Sequence, residues 1–332
     1  MQAIDEADWE EVEIIGWIYQ FYISEKKDEV IGKVVKSEDI PAATQLFTPK
    51  WIVRYMVQNT LGRQWLATYP DSALKEKLEY YIEPGEQTED VKARLAATTP
   101  TALDPEAITF MDPAAGSGHI LVEAYDLFKE IYLERGYRTR DIPRLILEKN
   151  LFGLEIDDRA AQLAGFALLM KARRDDRQIL DADRPVRLNV LSIQESKGLD
   201  AHETAQVLLR DRVIELDSAQ PRQRELYPQR QAQPVLSKVE KPELTEEKLA
   251  SLIDLFQDGK TFGSLLTVPE PLQEALPKFE RLLEKAEHWD MQSRKMAEHI
   301  SALVKQAELL AQKYHCVVSN PPYMGASAAL YP

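Results

Sequence analysis

A short apolar run ending in an acid, Ile108-Thr109-Phe110-Met111-Asp112, passes directly into Pro113-Ala114-Ala115-Gly116-Ser117-Gly118. The run reads as a buried strand. Ile120, Leu121, Ala124, Leu127, Phe128 and Ile131 then recur at helical spacing and mark one buried face. Strand, glycine turn and helix make the first unit of a doubly wound α/β sheet, which narrows the fold class more than any other stretch does. The glycines let backbone approach a ligand, and the helix N-terminus offers unpaired N–H groups and positive potential. Asp112 closes the strand just before the turn. A carboxylate there accepts from an ammonium, which suits an amino-acid-bearing cofactor better than a pyrophosphate.

Three more strands are legible. Leu151-Phe152-Gly153-Leu154-Glu155 places an acid where a ribose diol is bound in such sheets. Asp157 or Asp158 then caps a helix whose core face is Ala161, Ala164, Leu168 and Leu169. Arg187 to Leu191 reads as a third strand, with Asn189 a candidate to reach an adenine edge. The fourth, Cys316-Val317-Val318, runs into Ser319-Asn320-Pro321-Pro322-Tyr323. Two prolines cannot donate to a ladder, so the strand ends at Asn320. The loop then carries an amide, a turned carbonyl and an aromatic ring. The Asn320 oxygen and the Pro321 carbonyl can accept from a flat amine while Tyr323 stacks on its ring.

The flanking segments are helical. Trp9, Ile14, Ile15, Trp17, Ile18, Phe21 and Tyr22 give an N-terminal helix so wide an apolar face that it must dock, either on later parts of the chain or on sequence upstream. Phe47-Thr48-Pro49 reads as a helix start, with Thr48 as N-cap, Pro49 at the first helical position and Gly62 as the stop. Phe47 and Thr48 then face a ligand. Residues 68–106 read as a small helical extension and linker, and residues 200–312 as a charged helical insertion with mixed-sign, solvated faces.

Composition sets limits on function. The chain has 332 residues, 44% apolar, with a net charge of −14. That charge argues against a surface whose main task is to grip nucleic-acid phosphates. With Cys316 as the one cysteine, no internal disulfide forms and no cysteine-based zinc site is expected; no metal is assigned. The lack of a signal peptide or long apolar span points to a cytoplasmic protein without membrane contact. The glycine turn lacks the three-glycine spacing of nicotinamide dehydrogenases.

Taken in order, these parts resemble the S-adenosylmethionine-dependent adenine-specific DNA methyltransferases of the gamma motif order. The N-terminal Trp-Ile-Tyr-Gln-Phe-Tyr helix and the Gln-Leu-Phe-Thr-Pro-Lys-Trp-Ile-Val run look most like the bacteriophage-exclusion (BREX) members. The resemblance implies a Rossmann-like methyltransferase core, here a partial sheet of order 3-2-1-4. Residues 1–40 form an N-terminal helical segment, 41–106 a cofactor-capping helix with its extension, and 107–200 the cofactor-binding half. Residues 201–313 are the insertion and 314–332 the fourth strand with its catalytic loop. It further implies methyl transfer from S-adenosyl-L-methionine to the N6 amine of adenine in double-stranded DNA, with other defence-system proteins as possible partners. Asn320, Pro321, Pro322 and Tyr323 would be catalytic. Phe47, Thr48, Asp112, Pro113, Ala114, Gly116, Gly118, Glu155 and Asn189 would hold the cofactor. Protein-glutamine or RNA amine methylation, and a non-catalytic binding role, are the alternatives.

The chain departs from the family pattern at Asn189, where an acid is frequent, and at His119, which reads as structural. It also ends soon after the fourth of seven strands. That pattern leads us to expect a fragment of a longer protein, with strand 4 as an open edge.

Overall fold

A computed structural model describes residues 14–30, 48–209, 244–284, 286 and 289–321. The chain divides into two compact units. One comprises Met1–Ile193, Lys260–Leu265 and Lys313–Pro332; the other comprises Gln194–Gly259 and Leu266–Gln312.

The first unit carries helices α1 (Ile14–Val30), α2 (Lys50–Val57) and α3 (Arg63–Thr68), then β1 (Phe110–Asp112) and α4 (His119–Glu134). These are followed by β2 (Leu151–Glu155), α5 (Asp158–Asp175) and β3 (Asn189–Ser192). The second unit contributes α6 (Ala201–Leu209), α7 (Glu246–Leu255), α8 (Leu276–Leu283) and α9 (Met291–Ala311), after which β4 (Cys316–Val317) returns to the first. The four strands form one sheet in the order β3-β2-β1-β4, all parallel, as the sequence led us to expect. Asp112 pairs with Gly153, Glu155 with Ser192 and Met111 with Val317, so the carboxyl ends of all four strands share one edge.

Packing explains why the sheet is built from these residues. All three residues of β1 and all five of β2 are buried, the near-continuous apolar pattern of parallel strands covered on both faces. Phe110, Leu121, Tyr125, Phe128, Leu151 and Leu168 form the centre of the core. A side chain at Gly153 would bring its Cβ within 2.9 Å of Leu121 Cδ1, so α4 lies close on the sheet because that position is bare. At the amino edge the Asn150 side chain is fully buried and satisfied: Tyr132 donates to its Oδ1 at 2.8 Å, and its Nδ2 donates to the Pro105 and Ile108 carbonyls at 2.7 Å. It ties the start of β2 to the start of β1.

The expected helix stop at Gly62 is not one. Gly62 has helical angles (φ −61, ψ −43) inside a π-turn, Gln58–Gly62, through which α2 continues as α3. A Cβ there would meet Leu78 Cδ1 at 2.9 Å, so this glycine admits a neighbour instead of ending a helix. The Glu89–Thr98 helix buries none of its residues.

In the second unit α6 to α9 close over Leu208, Leu249, Leu252, Phe256, Phe279, Ile300 and Leu303. Among the buried polar side chains of this unit is Gln306, 1% exposed. Gln306 accepts from the Gln194 N–H at 2.8 Å and donates to the Gln194 carbonyl at 2.9 Å, so the first residue of the unit is bound to its last long helix.

Candidate active site

The carboxyl edge of the sheet gathers most of the residues singled out from sequence. β1 delivers Asp112, 1% exposed, whose Oδ1 accepts from the Ala114 N–H at 3.1 Å. Burial pushes this carboxyl up from its ordinary 3.8 to about 7; the Ala114 amide and the Ser319 hydroxyl hold it down, and the Glu155 charge adds to the rise. The loop after it turns at Gly116 (φ 53) and Gly118 (φ 89), both left-handed and so suited to glycine. At Gly118 a Cβ would lie 2.9 Å from the Ala164 Cβ, so the turn sits directly on α5.

β2 ends at Glu155, which is also buried. Its Oε2 accepts from the Gly116 N–H at 2.7 Å, and its Oε1 accepts from the N–H groups of Ile156 at 2.9 Å and Asp157 at 3.1 Å. This carboxyl too is raised by burial, with the backbone amides opposing. Two buried acids therefore lie at one glycine turn, and no described lysine or arginine pairs with either. Such a pair favours a ligand that brings positive charge and hydrogen-bond donors.

β4 brings Ser319 and Asn320 beside β1, its ladder extended by Val318 N–H donating to the Met111 carbonyl at 2.9 Å. The Asn320 Nδ2 donates to Thr48 Oγ1 at 2.8 Å, a link across 272 positions of sequence. Thr48 is 8% exposed and caps nothing. The first helical carbonyl acceptor is Pro49, itself extended (φ −53, ψ 139), which receives Ile52 N–H at 2.9 Å. The expected N-cap role of Thr48 is thus replaced by a contact with Asn320, because its hydroxyl faces the strand end and not the helix. α2 is held on α4 by buried Val53 and Val57 and by an Arg54–Glu123 ion pair at 3.5 Å.

α1 lies over the glycine turn. A Cβ at Gly16 would stand 2.0 Å from His119 Cε1 and 2.6 Å from Ser117 Oγ, so a larger residue there requires those side chains or the helix to shift. Tyr19 donates to the Asp157 carboxylate, which also caps α5 by accepting from Arg159 N–H at 2.8 Å. Tyr19 and Ile23 pack on Ala160. Of the two docking options for this helix, the structure places it on the chain's own later part. Gly16, Tyr19 and Ile23 share one face at helical spacing, a signal visible in sequence but overshadowed by the larger Trp17, Phe21 and Tyr22, which are exposed.

Asn189 stands apart. It pairs with Phe152 at the amino end of β3, three positions before Ser192, hence about 10 Å from the site edge at strand rise. Its Nδ2 donates to the Glu148 carbonyl at 3.0 Å and, more weakly, to those of Leu147 and Leu151. The expected contact with an adenine edge does not agree with that placement; Ser192, level with Glu155, is the β3 residue at the site edge. Pro113, Ala114 and Pro321 lie in the loops described, whereas Phe47, Pro322 and Tyr323 lie outside the described residues. Among the described residues no group of three or more His, Cys, Asp or Glu is placed to hold a metal ion, and no helix is long and apolar enough to cross a membrane.

Comparison with known proteins agrees with this geometry. Residues 94–227 match the family described as MmeI, DNA-methyltransferase domain. The chain is 57% identical over 327 residues to the adenine-specific methyltransferase BrxX of Escherichia coli O9:H4 (strain HS), covering 97% of this chain and 26% of that protein. It is 32% identical over 338 residues to the adenine-specific methyltransferase PglX of Lacticaseibacillus casei (strain Zhang), covering 95% and 24% respectively. The chain therefore spans about a quarter of the length of these curated relatives. A parallel 3-2-1-4 sheet, a glycine turn flanked by two buried acids, an Asn-Pro strand end and this identity across nearly all its residues place the chain in the family of BREX-type adenine-specific methyltransferases.

Proposed function

We propose that this segment supplies the cofactor-binding half and the acceptor loop of an enzyme that methylates the N6 amine of adenine in DNA, within a phage-defence system. The observation that carries the reading is the position of Asn320. Its side chain is fixed by Thr48 at the end of β4, on the same sheet edge as Asp112 and Glu155.

The site fits S-adenosylmethionine. Asp112 is a buried acid suited to an ammonium, Glu155 an acid whose Oε2 keeps one acceptor site for a ribose hydroxyl, and the left-handed turn at Gly116 and Gly118 lets backbone come close. When bound, that group supplies a methyl already activated on a sulfonium. The protein then needs no covalent nucleophile, and its work is positioning. The Asn320 oxygen and the Pro321 carbonyl accept the two amine hydrogens and turn the nitrogen lone pair out of the ring plane. Tyr323 stacks on the base, a contact typically worth about 1–3 kcal/mol. The adenine must leave the duplex to enter such a pocket. With −14 net charge, this segment is a poor phosphate grip, so duplex contacts are assigned to other surfaces of the protein.

The test is Asn320→Ala in the full-length protein, given labelled S-adenosylmethionine with DNA, RNA or protein acceptors. The expected result is label in DNA adenine for the wild type, none for the variant, and cofactor binding retained in both. Label appearing in RNA or protein instead of DNA overturns the substrate assignment, and methylated adenine persisting in the variant overturns the role of Asn320.

A further inference from the structure

We propose that Phe262 forms a wall of the cofactor pocket and stacks on the adenine ring of S-adenosylmethionine, an inference that rests on the reading of this sheet edge as the cofactor site. In that reading Asp112 on β1 takes the ammonium and Glu155 on β2 the ribose, and paired strands lie about 4.8 Å apart. A ligand laid in that order runs from β1 toward β3. Its adenine then lies past Glu155, among the residues that follow β2 and those that end β3. Asn189 stands at the amino end of β3 and supplies that ring no contact.

A run from far along the chain comes to this place. Lys260–Leu265 belongs to the first unit, although the residues before and after it belong to the second. The run is held at two points. Lys260 Nζ pairs with the Asp158 carboxylate at 2.8 Å, and Asp158 also accepts from the hydroxyl of Ser192, the last residue of β3. Gly263 lays its backbone on Ile156, the residue after Glu155: a Cβ there would stand 3.2 Å from Ile156 Cγ2. Gly263 is also left-handed (φ 55), a conformation that lets the chain turn sharply at this contact.

Phe262 sits between the two anchors, one peptide unit of about 3.8 Å from Gly263. Its ring is 53% exposed, beside a half-buried isoleucine and a buried acid. An apolar face therefore remains to be covered at the position where the flat end of the ligand falls. Burying that face against a purine removes apolar surface from water, and stacking asks for no hydrogen-bond partner. The recognition is thus of a flat aromatic ring, complementary to the polar recognition of the ammonium and ribose.

The experiment uses the full-length protein and two probes, S-adenosylmethionine and 5′-methylthioadenosine, which keeps the adenine and ribose but lacks the amino-acid end. Calorimetry gives both dissociation constants for wild type, Phe262→Ala, Phe262→Leu and Phe262→Trp. Loss of a stacked ring should weaken both probes by a similar factor, about 5- to 100-fold in Phe262→Ala. Phe262→Leu, apolar without a flat face, should stay more than about threefold weaker than wild type, and Phe262→Trp should lie within about threefold of it. The indole of Phe262→Trp should also lose emission when either probe is added, beyond any change in the wild type.

Affinities within threefold of wild type in Phe262→Ala or Phe262→Leu overturn the inference. So does a loss seen with S-adenosylmethionine but not with 5′-methylthioadenosine, which moves Phe262 to the amino-acid end. An indole whose emission ignores both probes overturns it as well. A wild-type protein that binds neither probe is a separate failure, of the cofactor reading itself, and removes this inference with it.

Discussion

Replacing Asp112 by asparagine should make the protein more stable and unable to bind its cofactor. The side chain is 1% exposed, and burial raises its carboxyl to about 7 from an ordinary 3.8. Between those values the folded protein holds a proton that the unfolded chain releases. Native stability therefore falls as pH rises through this window, and the penalty is complete above about pH 7. At about 1.4 kcal/mol for each unit of pKa, the gap corresponds to about 4 kcal/mol at most. Asparagine keeps the shape and an acceptor for the Ala114 N–H, with no charge to desolvate. Asp112→Asn is therefore expected to exceed the wild type by about 1–4 kcal/mol at pH 8, with the difference vanishing toward pH 4. Urea midpoints read at both pH values measure it. Binding supplies the second arm. A cationic ammonium lowers the pKa of Asp112, so the wild type should release a proton on binding S-adenosylmethionine near pH 6, seen as a calorimetric heat that depends on the buffer. Asp112→Asn should show neither the proton nor the binding. A variant no more stable than wild type at pH 8, or one equally offset at both pH values, refutes the reasoning.

Gly118→Ala forces an L-residue into a left-handed conformation (φ 89), at about 1–2 kcal/mol, and drives its Cβ to 2.9 Å from the Ala164 Cβ. A lowered melting temperature and at least tenfold weaker cofactor binding are expected; unchanged affinity would mean the turn does not touch the ligand. Gly16→Ala should favour α1 as an isolated helix by about 1 kcal/mol yet undock it, because its Cβ would stand 2.0 Å from His119 Cε1. Hydrogen exchange over residues 14–30 should quicken, and retained protection would show that α1 is not held on that face.

What could be read ahead of the structure was whatever is encoded locally. The continuous apolar runs of the strands, the period of 3.6 after Gly118 and the acids closing β1 and β2 each sit within one short window, and together they give the strands and the placement of Asp112 and Glu155, while the sheet order came from the family resemblance. The misreadings share one cause, a partner far away in sequence. Thr48 looks like a cap until Asn320 arrives from 272 positions on, and Gly62 looks like a stop until Leu78 claims the space above it. Asn189 looks well placed because the window shows a strand but not its register, which β2 sets. The docking face of α1 was written in Gly16, Tyr19 and Ile23, but small and half-polar residues carry a weaker signal than the aromatics on the opposite face.

The pair of hydrogen bonds between Gln194 and Gln306 bears on how such a sheet can be assembled at all. β4 must find β1 after more than two hundred intervening residues, a sequence separation that slows folding. An excursion whose two ends are bonded together changes that problem. Once Gln306 has seized Gln194, over a hundred residues of chain act as a short tether between β3 and β4. Shortening an effective loop about tenfold recovers roughly 2 kcal/mol of closure entropy. One buried glutamine thus acts as a buckle, and the last strand can reach its place almost as if the insertion had never been added.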